Sequence, residues 1–230
     1  MKNQLNPNIA IVDSGIGGIS ILKQLISRYN SGNYIYFADN LYMPYGNKKS
    51  KWLKNRIENI IKLLKEKYKV DYVIIACNTA SSVILNNSFD NVTLMKFTDN
   101  ITYFATDLTK KNLTNNRVIS DKNLASKIEN NIFETQKIEK IIKQCVQKHK
   151  LFKFDKLVLG CTHYELVSDI FKKFCPNTQI LNNSSFLLEN LHLNIISKEL
   201  NLSIIVTNSS EKYRNKIFRM IKPTISSCLK

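Results

Sequence analysis

Two segments of the chain share one pattern, in which an apolar run is followed by a small residue, a cysteine and small polar residues. The first is Val73–Ala80, with the sequence VIIACNTA, and the second is Leu157–Tyr164, with the sequence LVLGCTHY. Each apolar run predicts a buried β-strand whose cysteine lies at its carboxyl end. In open parallel sheets this end faces the ligand crevice. Two half-molecules of this kind would place one thiol on each side of a small ligand.

Strands and helices alternate along the chain. The apolar run Ile9–Val12 ends in the turn Asp13–Gly18, and apolar residues at helical spacing follow. Further strands are predicted at Asn33–Ala38, Tyr72–Ala76, Lys156–Gly160, Gln179–Leu181 and Ser203–Thr207. Further helices are predicted at Ser50–Lys67, Ala80–Asn86, Asn131–Lys148, Tyr164–Phe174, Phe186–Leu191 and Glu211–Ile221. This alternation predicts an α/β protein with mainly parallel sheets.

The stretch from residue 92 to residue 116 is less regular. Val92–Phe97 and Ile101–Thr106 both have strand character, and only three residues separate them. Three residues cannot form a crossover between parallel neighbours. Either the two segments form a hairpin or one of them is not a strand. The polar segment Lys110–Asn116 predicts a loop.

The chain of 230 residues is long enough for two modest lobes, and its formal net charge is +16 at pH 7. Only five of its 34 basic residues are arginines. Nucleic-acid recognition favours arginine, and no binding motif is present, so we expect no nucleic-acid partner despite the charge. Met1–Pro7 has no apolar export signal, and no run reaches the roughly 20 residues of a membrane span. We expect a cytoplasmic protein.

The five cysteines are an odd number without an export signal, which disfavours a disulfide framework. Cys145, Cys175 and Cys228 lie in helical or terminal segments without polar partners, and we interpret them as structural.

Structural zinc sites usually contain paired ligands such as C-x-x-C, and the sequence has no C-x-x-C pair. We therefore expect no metal ion at Cys77, Cys161 and His163, and no cofactor. His149 follows a lysine-rich helix and His192 an apolar one, so neither is assigned a role.

Cys77 and Cys161 suit one particular reaction. Moving the α-proton of an amino acid from one face to the other requires a base on one side and an acid on the other. A thiol serves as both, because its ordinary pKa of about 8.5 is readily tuned. We interpret the two cysteines as this pair, with His163 as a proton relay or thiol activator.

The turn Asp13–Ser20 is close to a dinucleotide fingerprint but departs from it. Ser20 replaces the last glycine or alanine, and Asp13 would repel a pyrophosphate. An amino acid fits better, because Asp13 can bind an ammonium group while Ser14 and the turn amides bind a carboxylate. Backbone amides of the loop Met43–Asn47 can bind a carboxylate in the same way.

Four motifs, in this order, resemble those of the glutamate racemase family in the aspartate/glutamate racemase superfamily. They are Asp13-Ser14-Gly15, Ala38-Asp39 with Pro44-Tyr45-Gly46-Asn47, Cys77-Asn78-Thr79-Ala80 and Gly160-Cys161-Thr162-His163. The resemblance covers most of the chain. It implies cofactor-independent interconversion of L- and D-glutamate, which supplies D-glutamate for peptidoglycan.

The resemblance also implies an architecture of two pseudo-symmetric α/β lobes, each with a mainly parallel sheet flanked by helices, and an active site in the cleft between them. We expect residues 1–91 with 187–230 to form the first lobe and residues 92–186 a second, trimmed lobe. A homodimer is expected.

The family's functional residues map onto this chain position by position. By similarity, the catalytic residues are Cys77, Cys161, Asp13, His163 and Glu129. By similarity, the substrate-binding residues are Ser14, Pro44, Tyr45, Gly46, Asn78, Thr79, Thr106 and Thr162. Cys77 would act on the D-substrate and Cys161 on the L-substrate.

The chain departs from the family pattern in its middle region. Thr98-Asp99-Asn100 stands where the family has a crossover helix, and Lys122-Asn123 replaces a cysteine–proline pair. Two alternatives stay open, an aspartate or broad-specificity amino-acid racemase and a non-catalytic binding protein on a racemase scaffold. The Pro-Tyr-Gly loop favours glutamate by resemblance.

Overall fold

The computed structural model describes residues 7–85, 87–195 and 199–228, except for the side chain of Cys228. Asn86, the last residue of one predicted helix, lies outside these ranges. Met1–Asn6, which belong to the segment predicted to lack an export signal, also lie outside them. Within the described ranges, no helix has both the length and the apolar character that crossing a membrane requires.

The described residues form nine strands in two sheets. The strands are β1 Asn8–Asp13, β2 Gly32–Ala38, β3 Tyr72–Ile75, β4 Val92–Leu94, β5 Thr102–Ala105, β6 Arg117–Ser120, β7 Lys156–Gly160, β8 Gln179–Asn182 and β9 Leu200–Val206. The helices are α1 Ile19–Tyr29, α2 Ser50–Lys67, α3 Asn78–Ile84, α4 Asp107–Asn112, α5 Leu124–Asn131, α6 Thr135–His149, α7 Thr162–Glu165, α8 Ser168–Phe174, α9 Asn183–Glu189 and α10 Glu211–Cys228.

The two sheets have the same internal order. The first runs β4-β3-β1-β2-β9 and the second β6-β5-β7-β8, and every pairing is parallel. Counted within each sheet, both read second, first, third, fourth, and β9 adds a strand beside β2. The predicted α/β class with two pseudo-symmetric parallel sheets is confirmed. We call the first sheet with its helices the first lobe, and the second sheet with its helices the second lobe.

This strand order fixes where ligands bind. In a sheet of order 2-1-3-4, the connections leave the first and third strands in opposite directions, and a crevice opens between the carboxyl ends of these strands. In the first lobe the third strand is β3, which precedes Cys77, and in the second it is β7, which precedes Cys161. Each thiol therefore lies at the crevice of its own lobe.

Alternating apolar residues cover both faces of the central strands. In β1, Ile9 and Ile11 pack into one core cluster and Ala10 and Val12 into another. In the second sheet, Phe104 of β5 packs under α5, α6 and α8, whereas its neighbour Tyr103 faces the opposite cluster. Burial on both faces explains why these strands are continuous apolar runs.

Both alternatives for residues 92–106 are wrong. Val92–Leu94 and Thr102–Ala105 are both strands, but they belong to different sheets, because residues 95–101 carry the chain from the first lobe to the second. No crossover or hairpin is needed between strands that are not neighbours. The predicted lobe boundaries stay a prediction, but β4, which was predicted to open the second lobe at residue 92, pairs with β3 in the first sheet.

Other element predictions need correction. Lys110–Asn112 ends α4 instead of belonging to a loop, because the Thr106 side chain accepts a hydrogen bond from Thr109 N and starts a helix there. The predicted helix Tyr164–Phe174 is two helices, α7 and α8. The four-residue strand β6 was not predicted, since Val118 is its only buried residue.

Candidate active site

The two predicted catalytic thiols lie in one buried region between the lobes. Cys77 and Cys161 are each 5% exposed. The charge of Cys161 contributes to the pKa of Cys77, which places the two sulfur atoms within electrostatic reach of each other. Asp13, at the end of β1, also acts on Cys77. Strands from both sheets thus deliver their functional side chains to one place.

The environment of Cys77 favours its neutral form. Burial is the largest influence and raises the pKa of the thiol, and the charges of Asp13 and Cys161 raise it further. The backbone N–H groups of Thr79 and Ala80, at the start of α3, oppose this increase. At neutral pH Cys77 therefore carries a proton that it can donate.

Cys161 has a different neighbour, the imidazole of His163. His163 is 2% exposed, and its Nε2 lies 2.7 Å from Oε2 of Glu129. Burial alone would lower the pKa of His163, but its hydrogen bonds to Cys161 and Glu129 raise it well above the ordinary value. A protonated imidazole therefore places a positive charge beside Cys161.

The carboxylate of Glu129 is held from both lobes. Its Oε2 accepts a hydrogen bond from Ile16 N at 3.1 Å, and its Oε1 accepts from Tyr213 Oη and Lys216 Nζ, each at 2.9 Å. Burial opposes its ionisation, but His163 and Lys216 lower the pKa of Glu129 to about 2. Glu129 therefore stays charged and keeps His163 oriented.

Tyr213 and Lys216 were not predicted from the sequence. They lie three residues apart on one face of α10, and both side chains reach α5 of the second lobe. A Tyr-x-x-Lys pair on an amphipathic helix carries no motif of its own. Only the tertiary contact with Glu129 reveals its place in the site.

Asp13 connects the first lobe to the second at another point. It is fully buried, its Oδ1 accepts from Gly15 N at 2.8 Å, and its Oδ2 accepts from the Thr162 hydroxyl at 2.9 Å. Burial raises its pKa, against the charge of His163 and these two hydrogen bonds. Ser14 is buried in the turn that follows.

Three threonine hydroxyls form a closed triangle across the lobes. Thr79 Oγ1 lies 2.9 Å from Thr106 Oγ1, Thr106 lies 3.0 Å from Thr109, and Thr109 donates back to Thr79 at 3.3 Å. Thr79 belongs to the first lobe and the other two to the second. Thr109 completes a group of which only Thr79 and Thr106 were predicted as substrate-binding residues.

The loop from Pro44 to Gly46 closes this side of the site. Tyr45 is 1% exposed and donates to Asp39 Oδ2 at 2.6 Å, while Arg56 binds both carboxylate oxygens of Asp39 at 2.6 and 2.9 Å. A Cβ atom on Gly46 would lie 2.7 Å from Cβ of Thr106, so the loop backbone touches the second lobe. Pro44 is half-buried beside it.

A second polar group was partly missed by sequence reasoning. Asn183 Nδ2 donates to Asn78 Oδ1 at 2.5 Å, and Ser184 N donates to Glu165 Oε1 at 3.1 Å. Asn78 Nδ2, Asn183 Oδ1 and Glu165 Oε2 are buried without a hydrogen-bond partner among the described residues. Such atoms can be satisfied by a bound polar molecule. Asn183 directly follows β8, and Glu165 lies four residues after Cys161. These positions are the sequence signal that points to the two residues.

The donor atoms of the described residues that come close enough to hold a metal ion lie elsewhere, at Asp121, Cys145 and His149 in the second lobe. Two sequence interpretations are corrected here. His149 is not without a role, because its Nε2 lies 2.9 Å from Asp121 Oδ2, and Cys145 has polar neighbours. The contact joins α6 to the end of β6, a pairing that local sequence does not encode.

Burial raises the pKa of Glu165 from an ordinary value of 4.5 to about 8. Between these two values the folded state keeps a proton that the unfolded state releases. The free energy of unfolding should therefore fall by about 1.4 kcal/mol per pH unit from this group as pH rises from 5 to 8. Glu165→Gln removes this dependence, which urea unfolding across that pH range measures.

Glu189→Gln, on the exposed face of α9, is the matched control and should keep the wild-type slope. If the pH dependence of Glu165→Gln runs parallel to that of the wild type, Glu165 is ionised in the folded protein and the assignment fails.

The chain was compared with known proteins. No protein-family model matches it. It is 32% identical over 194 residues to the glutamate racemase of Aliarcobacter butzleri, covering 72% of this chain and 74% of that protein. It is 32% identical over 196 residues to glutamate racemase 1 of Caldanaerobacter subterraneus, covering 75% of this chain and 73% of that protein. The glutamate racemase of Buchnera aphidicola is 27% identical and covers 92% of the chain and 93% of its own length.

Solved structures share the fold over nearly the whole chain. The glutamate racemase of Campylobacter jejuni superposes with a TM-score of 0.76 at 23% identity, covering 94% of this chain and 98% of its own. The glutamate racemase of Francisella tularensis in complex with D-glutamate superposes with a TM-score of 0.70 at 25% identity, covering 94% of both chains.

Proposed function

This chain belongs to the glutamate racemase family and is an isomerase, and from this premise we propose that it interconverts L- and D-glutamate without a cofactor, by proton transfer between two cysteines. The observation that carries the proposal is the pair of buried thiols, Cys77 and Cys161, each at the crevice of its own lobe and within electrostatic reach of the other. The bound D-glutamate of the Francisella tularensis relative supports the choice of substrate.

The polar groups around the thiols match the charges of glutamate. The carboxylate of Asp13 suits the substrate ammonium group. The hydroxyls of Ser14, Thr79 and Thr162, the amide of Asn78 and the backbone N–H groups at the start of α3 suit its carboxylates. Donors aimed at the α-carboxylate also stabilise the charge that develops when the α-proton leaves.

In the proposed mechanism the two thiols take opposite roles, one as base and the other as acid. With L-glutamate, the Cys161 thiolate takes the α-proton, and the electron pair of the C–H bond stays on the α-carbon, delocalised into the carboxylate. Cys77 then donates its thiol proton to the opposite face, which produces D-glutamate and a Cys77 thiolate. The reverse direction starts at Cys77. His163, held by Glu129, supports the thiolate of Cys161.

The contacts across the lobes supply a site from which water is excluded. The lobes are joined by the contacts of Asp13 with Thr162 and of Glu129 with Ile16, and by the threonine triangle. Exclusion of water strengthens each electrostatic interaction and protects the carbanion from unspecific protonation. Opening of these contacts is the step that admits substrate.

The proposal extends to the role of the protein in its cell. D-glutamate is a component of peptidoglycan, so the protein would supply D-glutamate for cell-wall synthesis. We expect it to act in the cytoplasm and as a homodimer. The low share of arginine among its basic residues supports a surface charge without a nucleic-acid partner.

Cys77→Ser and Cys161→Ser should each reduce racemisation of both enantiomers at least about 100-fold, because a serine hydroxyl is a far weaker acid than a thiol and does not ionise near neutral pH to provide an anionic base. Circular dichroism of L- and D-glutamate solutions measures the rates. Aspartate and glutamine, assayed in parallel, separate a glutamate racemase from one of broad specificity.

Cys175→Ser is the matched control, since this cysteine is buried in the second lobe away from the site, and it should keep wild-type activity. Full racemisation by a folded variant lacking either active-site thiol would refute the two-cysteine mechanism. A folded wild type without turnover of any of the three amino acids would favour the binding-protein alternative.

Tyr213→Phe should lower kcat about tenfold while KM changes less than twofold, because Glu129 loses one hydrogen bond to its charged carboxylate but the ring stays in place. Without this hydrogen bond Glu129 holds His163 less firmly, and the pKa of His163 falls. The high-pH limb of the kcat/KM profile should therefore move to lower pH. Steady-state kinetics from pH 6 to 10 measure both effects.

Tyr72→Phe, at the exposed start of β3, is the control and should match the wild type. An unchanged pH profile in Tyr213→Phe, with or without a lower rate, would show that Tyr213 does not act through Glu129 and His163.

A further inference from the structure

Outside the active site, three side chains with metal-binding atoms meet in the second lobe. They are Asp121, Cys145 and His149, and one ligand atom from each lies within 4.8 Å of the other two. Cys145 and His149 are four residues apart on α6, so the helix presents both on one face. Asp121 comes from the segment between β6 and α5 and faces them.

The backbone and the core hold two of these side chains in place. Asp121 Oδ1 accepts hydrogen bonds from the N–H groups of Asn123 at 2.9 Å and Leu124 at 3.0 Å, at the start of α5. This leaves Oδ2 directed at His149 Nε2, 2.9 Å away. The ring of His149 packs against Phe104, with ring centroids 5.4 Å apart. The arrangement is therefore built before any ion arrives.

Sulfur, nitrogen and oxygen donors in this combination are the ligands of zinc. Zinc binds cysteine, histidine and aspartate with tetrahedral geometry at about 2.0–2.3 Å, and three protein ligands leave a fourth position for water. Donor atoms at those bond lengths lie roughly 3.3–3.7 Å apart. The three observed donors lie within 4.8 Å of one another, which is close to that spacing.

We propose that Asp121, Cys145 and His149 form a binding site for a divalent transition-metal ion, with zinc preferred. Cys145 binds as a thiolate and releases its proton to solvent when the ion binds. With one thiolate and one carboxylate, the site neutralises the two charges of the ion. This site is separate from the two active-site thiols and does not depend on the reaction proposed above.

The ion has a route to the site. His149 lines a surface cavity of about 640 Å³ together with Asn100, Lys150 and Phe154, so solvent reaches this ligand. Lys148 Nζ lies 3.1 Å from Asp121 Oδ2, but its side chain is 67% exposed and can turn to solvent. The ion would replace this surface ion pair, which contributes little to stability.

Binding would link three elements of the second lobe. Asp121 sits between β6 and α5, and the other two ligands sit on α6. The same α5 carries Glu129 further along its length. The ion would thus cross-link the elements that position Glu129 without touching it. We expect it to act on the stability of the second lobe.

Cobalt(II) is the spectroscopic probe for this site, since a cobalt–thiolate bond gives a near-ultraviolet charge-transfer band. Untagged protein is treated with a chelator, dialysed under reducing conditions and titrated with Co²⁺, then with Zn²⁺. We expect one Co²⁺ per chain with this band, its displacement by Zn²⁺, and a rise in Tm with Zn²⁺. Cys145→Ser should lose the band, and His149→Ala should weaken binding at least about tenfold.

Cys175→Ser is the matched control and should keep the band, and Cys77→Ser and Cys161→Ser should keep it as well. A band that survives in Cys145→Ser but disappears in Cys161→Ser would place the ion at the active site and overturn the proposal. If Cys145→Ser does not fold, X-ray absorption of the zinc-loaded double variant Cys77→Ser/Cys161→Ser, which lacks both active-site thiols, decides. One sulfur near 2.3 Å with nitrogen and oxygen ligands supports the site, and two sulfurs, or none, refute it.

Discussion

The buried hydrogen bond between Glu129 and His163 is the interaction on which the rest of the site depends. A carboxylate and an imidazole that are both almost inaccessible to water must neutralise each other, and their 2.7 Å contact does so. Through His163 this pair reaches Cys161, and through Ile16, Tyr213 and Lys216 it reaches the first lobe. One charged pair therefore contacts one of the two proposed catalytic thiols and joins the two lobes.

The glycine-rich turn after β1 is best understood from this closeness of the lobes. A Cβ atom on Gly15 would lie 2.5 Å from Glu129 Oε2, and one on Gly17 would lie 2.7 Å from Cβ of Thr162. Any side chain there would push the second lobe away and separate the thiols. The near-match to a dinucleotide fingerprint thus reflects close approach between backbone and side chains of the opposite lobe, while Asp13 keeps phosphate out.

The sequence predicted those elements that depend on neighbouring residues in the chain. The strands before Cys77 and Cys161 are short apolar runs between clear breakers, so the alternation and the parallel sheets were predictable. The polar segment around Lys110 was not predicted as a helix, because that helix depends on one threonine cap. The passage between the sheets was not predicted either, because the two strands were predicted only three residues apart, whereas residues 95–101 separate them. Tyr213, Lys216 and the contact of His149 with Asp121 were out of reach, because each is defined by a partner at least 28 positions away.

The most direct test of the central claim, that two thiols act on opposite faces of one carbon, is the early isotope pattern in D₂O. L-glutamate is converted to a few per cent by the wild-type enzyme, and both enantiomers are analysed by NMR after separation. If two thiols act, the D-glutamate formed should be almost fully deuterated at the α-carbon, because its new hydrogen comes from Cys77. The remaining L-glutamate should be unlabelled. Deuterium in recovered substrate at the same rate as in product, or retained protium in the product, would indicate a single base and contradict it.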